Sequence, residues 1–144
     1  MSKAPVAAVI GHPVNHSRSP RMHNYWLAQF GLEGYYIPLD IDPKKFERSI
    51  RNLPELGFVG ANITIPYKEK VLKIADKISD RAALVGAANT LTFLQNGGIY
   101  ADNTDGYGFL QNIKSKYKDW SASEGISVVC LLYTSDAADD LRGG

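Results

Sequence analysis

The chain has 144 residues, 44% hydrophobic and 22% charged, an ordinary soluble globular composition that at ~100–200 residues per domain suits one domain or slightly less. Sixteen Lys+Arg against fifteen Asp+Glu leave +1, which on charge alone excludes a nucleic-acid-coating or membrane-hugging surface, a local basic patch aside. No apolar run approaches the ~18 residues of a membrane helix, no signal-peptide pattern opens the chain, and the single Cys130 cannot form an intrachain disulfide, so a reducing cytoplasm is the expected setting.

In chain order, Pro5 to Gly11 is a short apolar run ending in glycine and predicts a buried strand. Ser19-Pro20 reads as a helix start, with Ser at the cap and Pro at the first helical position. Met22, Trp26 and Phe30 lie near one face of that helix, and Gly31 and Gly34 bracket its end. Tyr35 to Leu39 predicts a second strand. Asp42-Pro43 opens another helix, with Phe46, Ile50 and Leu53 at helical spacing, and Gly57 to Ile65 predicts a third strand ending in Pro66. A helix is predicted over 67–78, with Val71, Ile74, Ala75 and Ile78 as its buried stripe, and a short helix around 80–85. Ala88 to Leu94 and Ile99 to Ala101 form strands around Asn96-Gly97, the strongest hairpin signal in the chain. Thr104 to Tyr117 is helical with Phe109, Leu110 and Ile113 inward, residues 118–125 resemble a linker, and Ile126 to Tyr133 predicts a last strand. Alternating strands and helices argue for an α/β fold: a mostly parallel twisted sheet flanked by helices, with one antiparallel element from the hairpin.

Four polar clusters fall in short loops where strands end, the edge at which open α/β sheets bind ligands. Ser17 and Ser19 stand two apart before a helix start, where two hydroxyls and free N–H groups suit a carboxylate; a plain cap at Ser19 accounts for the same spacing. Asn62 and Thr64 alternate with Ile63 and Ile65 and so share a strand face. Lys68 follows at the predicted helix start, where the dipole eases loss of its proton, as acid/base work requires; a surface lysine like Lys70, Lys73 and Lys77 is the other reading. Asn89 can orient a hydroxyl-bearing ligand or simply end a loop. Asp102-Asn103-Thr104-Asp105-Gly106 is a good capping sequence, and an Asp there can also pair with Lys68. His12, His16 and His23 lack metal-ligand spacing, and no Gly-x-Gly-x-x-Gly is present, so no metal site or dinucleotide fingerprint is expected.

Taken together and in order, these stretches closely resemble the N-terminal substrate-binding domain of shikimate dehydrogenases. The match is carried by Ile10-Gly11-His12-Pro13-Val14-Asn15-His16-Ser17-Arg18-Ser19-Pro20 with His23-Asn24, by Gly60-Ala61-Asn62-Ile63-Thr64-Ile65-Pro66-Tyr67-Lys68, by Gly86-Ala87-Ala88-Asn89-Thr90 and by Asn103-Thr104-Asp105-Gly106. The resemblance implies NADP-dependent interconversion of 3-dehydroshikimate and shikimate, in aromatic amino-acid biosynthesis. It implies Ser17 and Ser19 on the substrate carboxylate, Asn62, Thr64 and Asn89 on ring hydroxyls, and Lys68 and Asp105 as the catalytic pair. NADP would be bound by a second, Rossmann domain. A quinate or dual quinate/shikimate dehydrogenase stays open, the two serines favouring shikimate, as does a stand-alone module that holds a small polyhydroxy acid without chemistry. Oligomeric state is not legible.

The C-terminal stretch departs from the family's pattern. Residues 1–117 match the substrate domain, 118–125 a linker, and 126–129 the start of the first Rossmann strand, but the expected glycines do not follow. Residues 130–144 open with Cys-Leu-Leu-Tyr-Thr-Ser-Asp-Ala-Ala-Asp, which can be read from codons resembling a transposase-based sequencing adapter, and are expected to be foreign. The expectation is a truncated chain without its cofactor domain, inactive alone, with exposed apolar surface and marginal stability.

Overall fold

The computed structural model describes residues 4–118. The rest of the expected linker, the strand over 126–133 and the tail over 130–144 lie outside the described residues.

Six strands form one sheet. They are β1 (Val6–Gly11), β2 (Tyr35–Asp40), β3 (Phe58–Ile63), β4 (Lys77–Ile78), β5 (Thr90–Phe93) and β6 (Ile99–Asp102), in the spatial order β2-β1-β3-β5-β6-β4. The helices are α1 (Ser19–Gln29), α2 (Phe46–Asn52), α3 (Asp80–Val85) and α4 (Asp105–Lys116), with a single 3₁₀ turn at Lys70–Lys73. β1 pairs in parallel with β2 and β3, and β4 with β6, whereas β5 is antiparallel to both β3 and β6. The sheet is therefore mostly parallel, with β5 as its one reversed strand.

The main core lies on one face of this sheet. Ala8, Ile10, Ala61, Ile63, Leu91, Ile99 and Ala101 meet Phe46, Ile50 and Leu53 of α2, Val71 and Ile74 of the 3₁₀ segment, and Ala82 of α3. The predicted apolar spacing of α2 is the buried stripe observed. α3 starts at Ser79, whose Oγ accepts the Ala82 N–H at 3.1 Å, and ends at Gly86, whose φ of +74° favours a residue without Cβ. The opposite face carries a smaller cluster of Val9, Val14 and Tyr36, under α1.

Three predicted elements differ. The helix over 67–78 is only a 3₁₀ turn followed by a two-residue strand. Val71 and Ile74 are buried at their helical spacing, but β6 offers an open edge, and Lys77 and Ile78 pair with Tyr100 and Ala101 instead of continuing a helix. The Asp76 N–H donates to the Ile99 carbonyl at 2.9 Å, and the Ile99 N–H to Asp76 Oδ2 at 2.8 Å, which stops helical bonding there. Ile78 is exposed as a result. In α1 the Met22, Trp26 and Phe30 stripe is exposed, Phe30 at 71%, because the helix rests on Ser19, His23 and Leu27. In α4 the face expected inward is open as well: Phe109 and Leu110 are exposed.

β2 is an edge strand, and edge strands leave backbone groups unpaired. Asn24 of α1 covers one such place. Its Nδ2 donates to the Tyr36 carbonyl at 2.8 Å, and its Oδ1 accepts the Tyr36 N–H at 3.0 Å. Asn24→Ala is expected to destabilise the chain by about 1 kcal/mol in urea unfolding, since these partly buried bonds have no substitute except water.

Candidate functional site

β1, β2, β3 and β6 end at one edge of the sheet, and the reversed β5 begins there. The loops after Gly11, Asp40, Ile63 and Asp102 and the loop before Thr90 consequently gather on that edge. All seven residues singled out from the sequence lie in or beside these segments.

Lys68 is held from several directions. The preceding Tyr67 is buried, stacks on Phe46 with ring centroids 3.9 Å apart, and donates its hydroxyl to the Ile41 carbonyl. The Lys68 carbonyl accepts the Ala88 N–H at 2.8 Å, tying this loop to the approach to β5. Lys68 is only 5% exposed, and its Nζ lies 3.0 Å from Asp105 Oδ2. The Asp105 side chain is 45% exposed. The ammonium is thus enclosed, while its partner carboxylate opens to solvent. The helix dipole expected behind Lys68 is absent, because the segment that follows is a single 3₁₀ turn; the electrostatic partner is a carboxylate from another loop.

Asp105 is itself fixed on two sides. Asn89 Nδ2 donates to Asp105 Oδ1 at 2.6 Å and to Thr104 Oγ1 at 3.0 Å, and Asn89 Oδ1 accepts the Thr104 N–H at 3.0 Å. Asn103, buried, accepts the Asp105 N–H on its Oδ1 at 3.0 Å and donates from Nδ2 to the Ala87 carbonyl at 2.9 Å. Behind them Asp102 takes hydrogen bonds from Arg81, Ser79 and the Asn103 N–H; the Arg81 guanidinium foremost holds its carboxyl well below the usual range. Through its Oδ1, Asn103 fixes the Asp105 backbone; in the sequence it stands inside a capping motif with nothing to mark it out.

Asn62 joins the same assembly. Its Nδ2 donates to the Asn89 carbonyl and to Thr90 Oγ1, both at 3.3 Å, and its Oδ1 accepts from the Tyr36 hydroxyl at 2.7 Å. Tyr36 carried no signal in the sequence beyond its place in a strand. Ser17, Ser19 and Thr64 stand outside this hydrogen-bond network among the described residues. Thr64 is buried, and its N–H donates to the Ile10 carbonyl at 2.9 Å. Its methyl packs so near Gly11 that a Cβ there would lie 2.5 Å from it, which is why the turn out of β1 needs glycine. Ser19 is buried as the first residue of α1 and is not its side-chain cap; Ser17 Oγ instead accepts the Ser19 N–H at 3.3 Å. Nearby, His12 Nδ1 meets Asp40 Oδ1 at 2.6 Å, and this hydrogen bond lowers the Asp40 pKa. Among the described residues no group of three or more His, Cys, Asp or Glu is placed to hold a metal ion.

A cluster of amides, hydroxyls and one enclosed ion pair at the strand-end edge defines a ligand-binding domain of the α/β class, suited to a small polar molecule. The family model described as the shikimate dehydrogenase substrate binding domain matches residues 9–91, and the chain belongs to that family. It is 54% identical over 129 residues to a shikimate dehydrogenase (NADP(+)) of Roseobacter denitrificans, covering 90% of this chain and 47% of the relative. It is 56% identical over 125 residues to the protein of that name in a Jannaschia species, covering 87% and 45%. The crystal structure of a Thermus thermophilus shikimate 5-dehydrogenase in complex with NADP(H) and shikimate is similar at a TM-score of 0.74 and 38% identity, over 78% of this chain and 42% of that one. The chain spans about half the length of the curated relatives it matches. No turn between strand and helix among the described residues has the Gly-x-Gly-x-x-Gly run that cradles a dinucleotide, so NADP finds no fitting site in them.

The uneven exposure of the ion pair predicts uneven effects on stability. Asp105→Ala leaves an enclosed ammonium unpaired and is expected to cost about 1–2 kcal/mol, below the range for a fully buried pair because Asp105 is half open. Lys68→Met fills the same space with apolar atoms and leaves Asp105 to water, so it is expected to fall within about 1 kcal/mol of the parent. Urea unfolding of the two variants checks the order.

Proposed function

We propose that this chain is the substrate-binding half of an NADP-dependent shikimate dehydrogenase, which interconverts 3-dehydroshikimate and shikimate in aromatic amino-acid and chorismate biosynthesis in the cytoplasm. The observation that carries the reading is the Lys68–Asp105 pair at 3.0 Å, enclosed on the lysine side and open on the aspartate side, with Asn89 on the other carboxylate oxygen. Residues 1–117 form the substrate domain in this reading. Residues 118–125 lead out of it as a linker, and residues 126–129 begin the cofactor domain.

Oxidising a secondary alcohol to a ketone removes a hydride from carbon and a proton from oxygen. The nicotinamide, held outside the described residues, supplies the hydride chemistry. This domain's work is to hold the ring and handle the proton. Lys68 Nζ meets the reacting oxygen: as a neutral amine it takes the proton in oxidation, and as ammonium it returns it in reduction. Asp105 orients Lys68 and accepts a hydrogen bond from a ring hydroxyl on its open side. Asn62, Thr64 and Asn89 bind the remaining hydroxyls, which restricts the ring to one orientation. Ser17 and Ser19 hold the carboxylate with their hydroxyls, at the start of α1.

A chimera tests this. Residues 1–117 would replace the matching half of the Roseobacter denitrificans enzyme, and shikimate-dependent NADP+ reduction would be followed by absorbance. The parent chimera is expected to turn over, and Lys68→Met to lower kcat by about 10²–10⁴ while shikimate binding persists. Near-normal kcat in the Lys68→Met chimera would remove the proton-transfer role. Shikimate binding without any turnover in the parent chimera would favour a non-catalytic binding module.

A further inference from the structure

We propose that Tyr36 is a positioning residue for the proton-handling pair, acting through a one-way chain of hydrogen bonds that runs along the sheet edge to Asp105. The inference rests on the functional reading above and deepens it. The chain has four steps. The Tyr36 hydroxyl donates to Asn62 Oδ1 at 2.7 Å, and Asn62 Nδ2 donates to Thr90 Oγ1 at 3.3 Å. Thr90 Oγ1 donates to Asn89 Oδ1 at 2.8 Å, and Asn89 Nδ2 donates to Asp105 Oδ1 at 2.6 Å. Lys68 occupies the other oxygen of that carboxylate.

The direction is set by backbone groups that cannot reverse. The Asn89 carbonyl can only accept, so the Asn62 atom beside it at 3.3 Å is the amide nitrogen. Asn62 Oδ1 must then face Tyr36, and the phenol must donate. The Thr104 N–H can only donate, so the Asn89 atom 3.0 Å from it is the amide oxygen, and Asn89 Nδ2 is left facing Asp105. Thr90 sits between these two anchored amides. Its hydroxyl oxygen accepts a hydrogen bond from Asn62, and its O–H donates one to Asn89. Every donor points toward the carboxylate, and bonds aligned in this way polarise one another.

The reach of Tyr36 has a structural cause. β2 and β3 lie on either side of β1, so the phenol must cross β1 to touch Asn62. Tyr36 stands opposite Ala7 in the ladder, and Asn62 opposite Val9, and Tyr36 packs against both Ala7 and Val9 on that face. From α1, His23 stacks on the Tyr36 ring with centroids 4.2 Å apart and planes 16° off parallel, which holds the ring over the sheet. No substrate contact is assigned to Tyr36; its effect passes through Asn62 and Thr90 to the amide of Asn89.

The test uses the ¹⁵N-labelled full 144-residue chain. Two quantities are measured: the side-chain amide resonances of Asn89 without ligand, and Kd for shikimate by titration. Tyr36→Phe is expected to move the Asn89 side-chain resonances and to weaken shikimate binding about fivefold, the equivalent of one hydrogen bond. Thr90→Val should do the same and Thr90→Ser should restore both, whereas Tyr35→Phe, on the neighbouring exposed tyrosine, should change neither. The Thr90 pair decides the matter alone if Tyr36→Phe does not fold. Asn89 resonances that stay in place in both Tyr36→Phe and Thr90→Val overturn the proposal. A parent chain that does not bind shikimate overturns the functional reading instead, and the Asn89 resonances report on the chain of bonds independently of that result.

Discussion

Lys68 brings a charged ammonium into a position where only 5% of the residue meets solvent. Taking such an ion out of water costs several kcal/mol unless an opposite charge and further hydrogen bonds compensate it. Here the compensation comes from Asp105, which is 37 residues away in the chain and reaches Lys68 only because β6 ends at the same sheet edge as β3. The reversed strand β5 lies between them and delivers Asn89 to the second oxygen of the same carboxylate. If β5 ran the other way, Asn89 would sit at the far edge and Asp105 would lose that donor. The strand order and the ion pair are thus linked features of one arrangement.

The supporting residues distribute the work by type. Backbone groups anchor the loops: the Lys68 carbonyl takes the Ala88 N–H, and the Ile10 carbonyl takes the Thr64 N–H. Buried Asn103 and half-buried Asn89 fix Asp105 from either side. Asp102, held by Arg81 and Ser79, fixes the start of the loop. What remains open is one side of the Asp105 carboxylate, whose side chain is 45% exposed. That is the pattern of a site whose geometry is set before a ligand arrives.

Much of this was legible in the sequence because the signals were local. A short apolar run ending in glycine marked β1, and the Asn96-Gly97 turn marked the β5–β6 hairpin and its single strand reversal. The segment after Lys68 was not legible. Val71, Ile74, Ala75 and Ile78 have helical spacing, and only the open edge of β6, a tertiary fact, turns the last of them into strand. Lys68 therefore has no helix dipole behind it, while an Asp of the 102–106 cluster, Asp105 at the start of α4, lies 3.0 Å from it. The exposed stripes of α1 and α4 show a similar limit, because periodicity reports an apolar face without reporting what meets it. Tyr36 was hidden for another reason. Its polar contact is made across an intervening strand, and nothing in the spacing of Tyr36 and Asn62 announces it.

In the proposed function, the reacting hydroxyl of shikimate binds at the Lys68–Asp105 pair. A crystal structure of this chain with shikimate tests it most directly. One ring hydroxyl is expected about 3 Å from both Lys68 Nζ and an Asp105 carboxylate oxygen, with the shikimate carboxylate on the hydroxyls of Ser17 and Ser19. Shikimate bound away from Lys68, or turned so that its carboxylate meets the lysine, would contradict it.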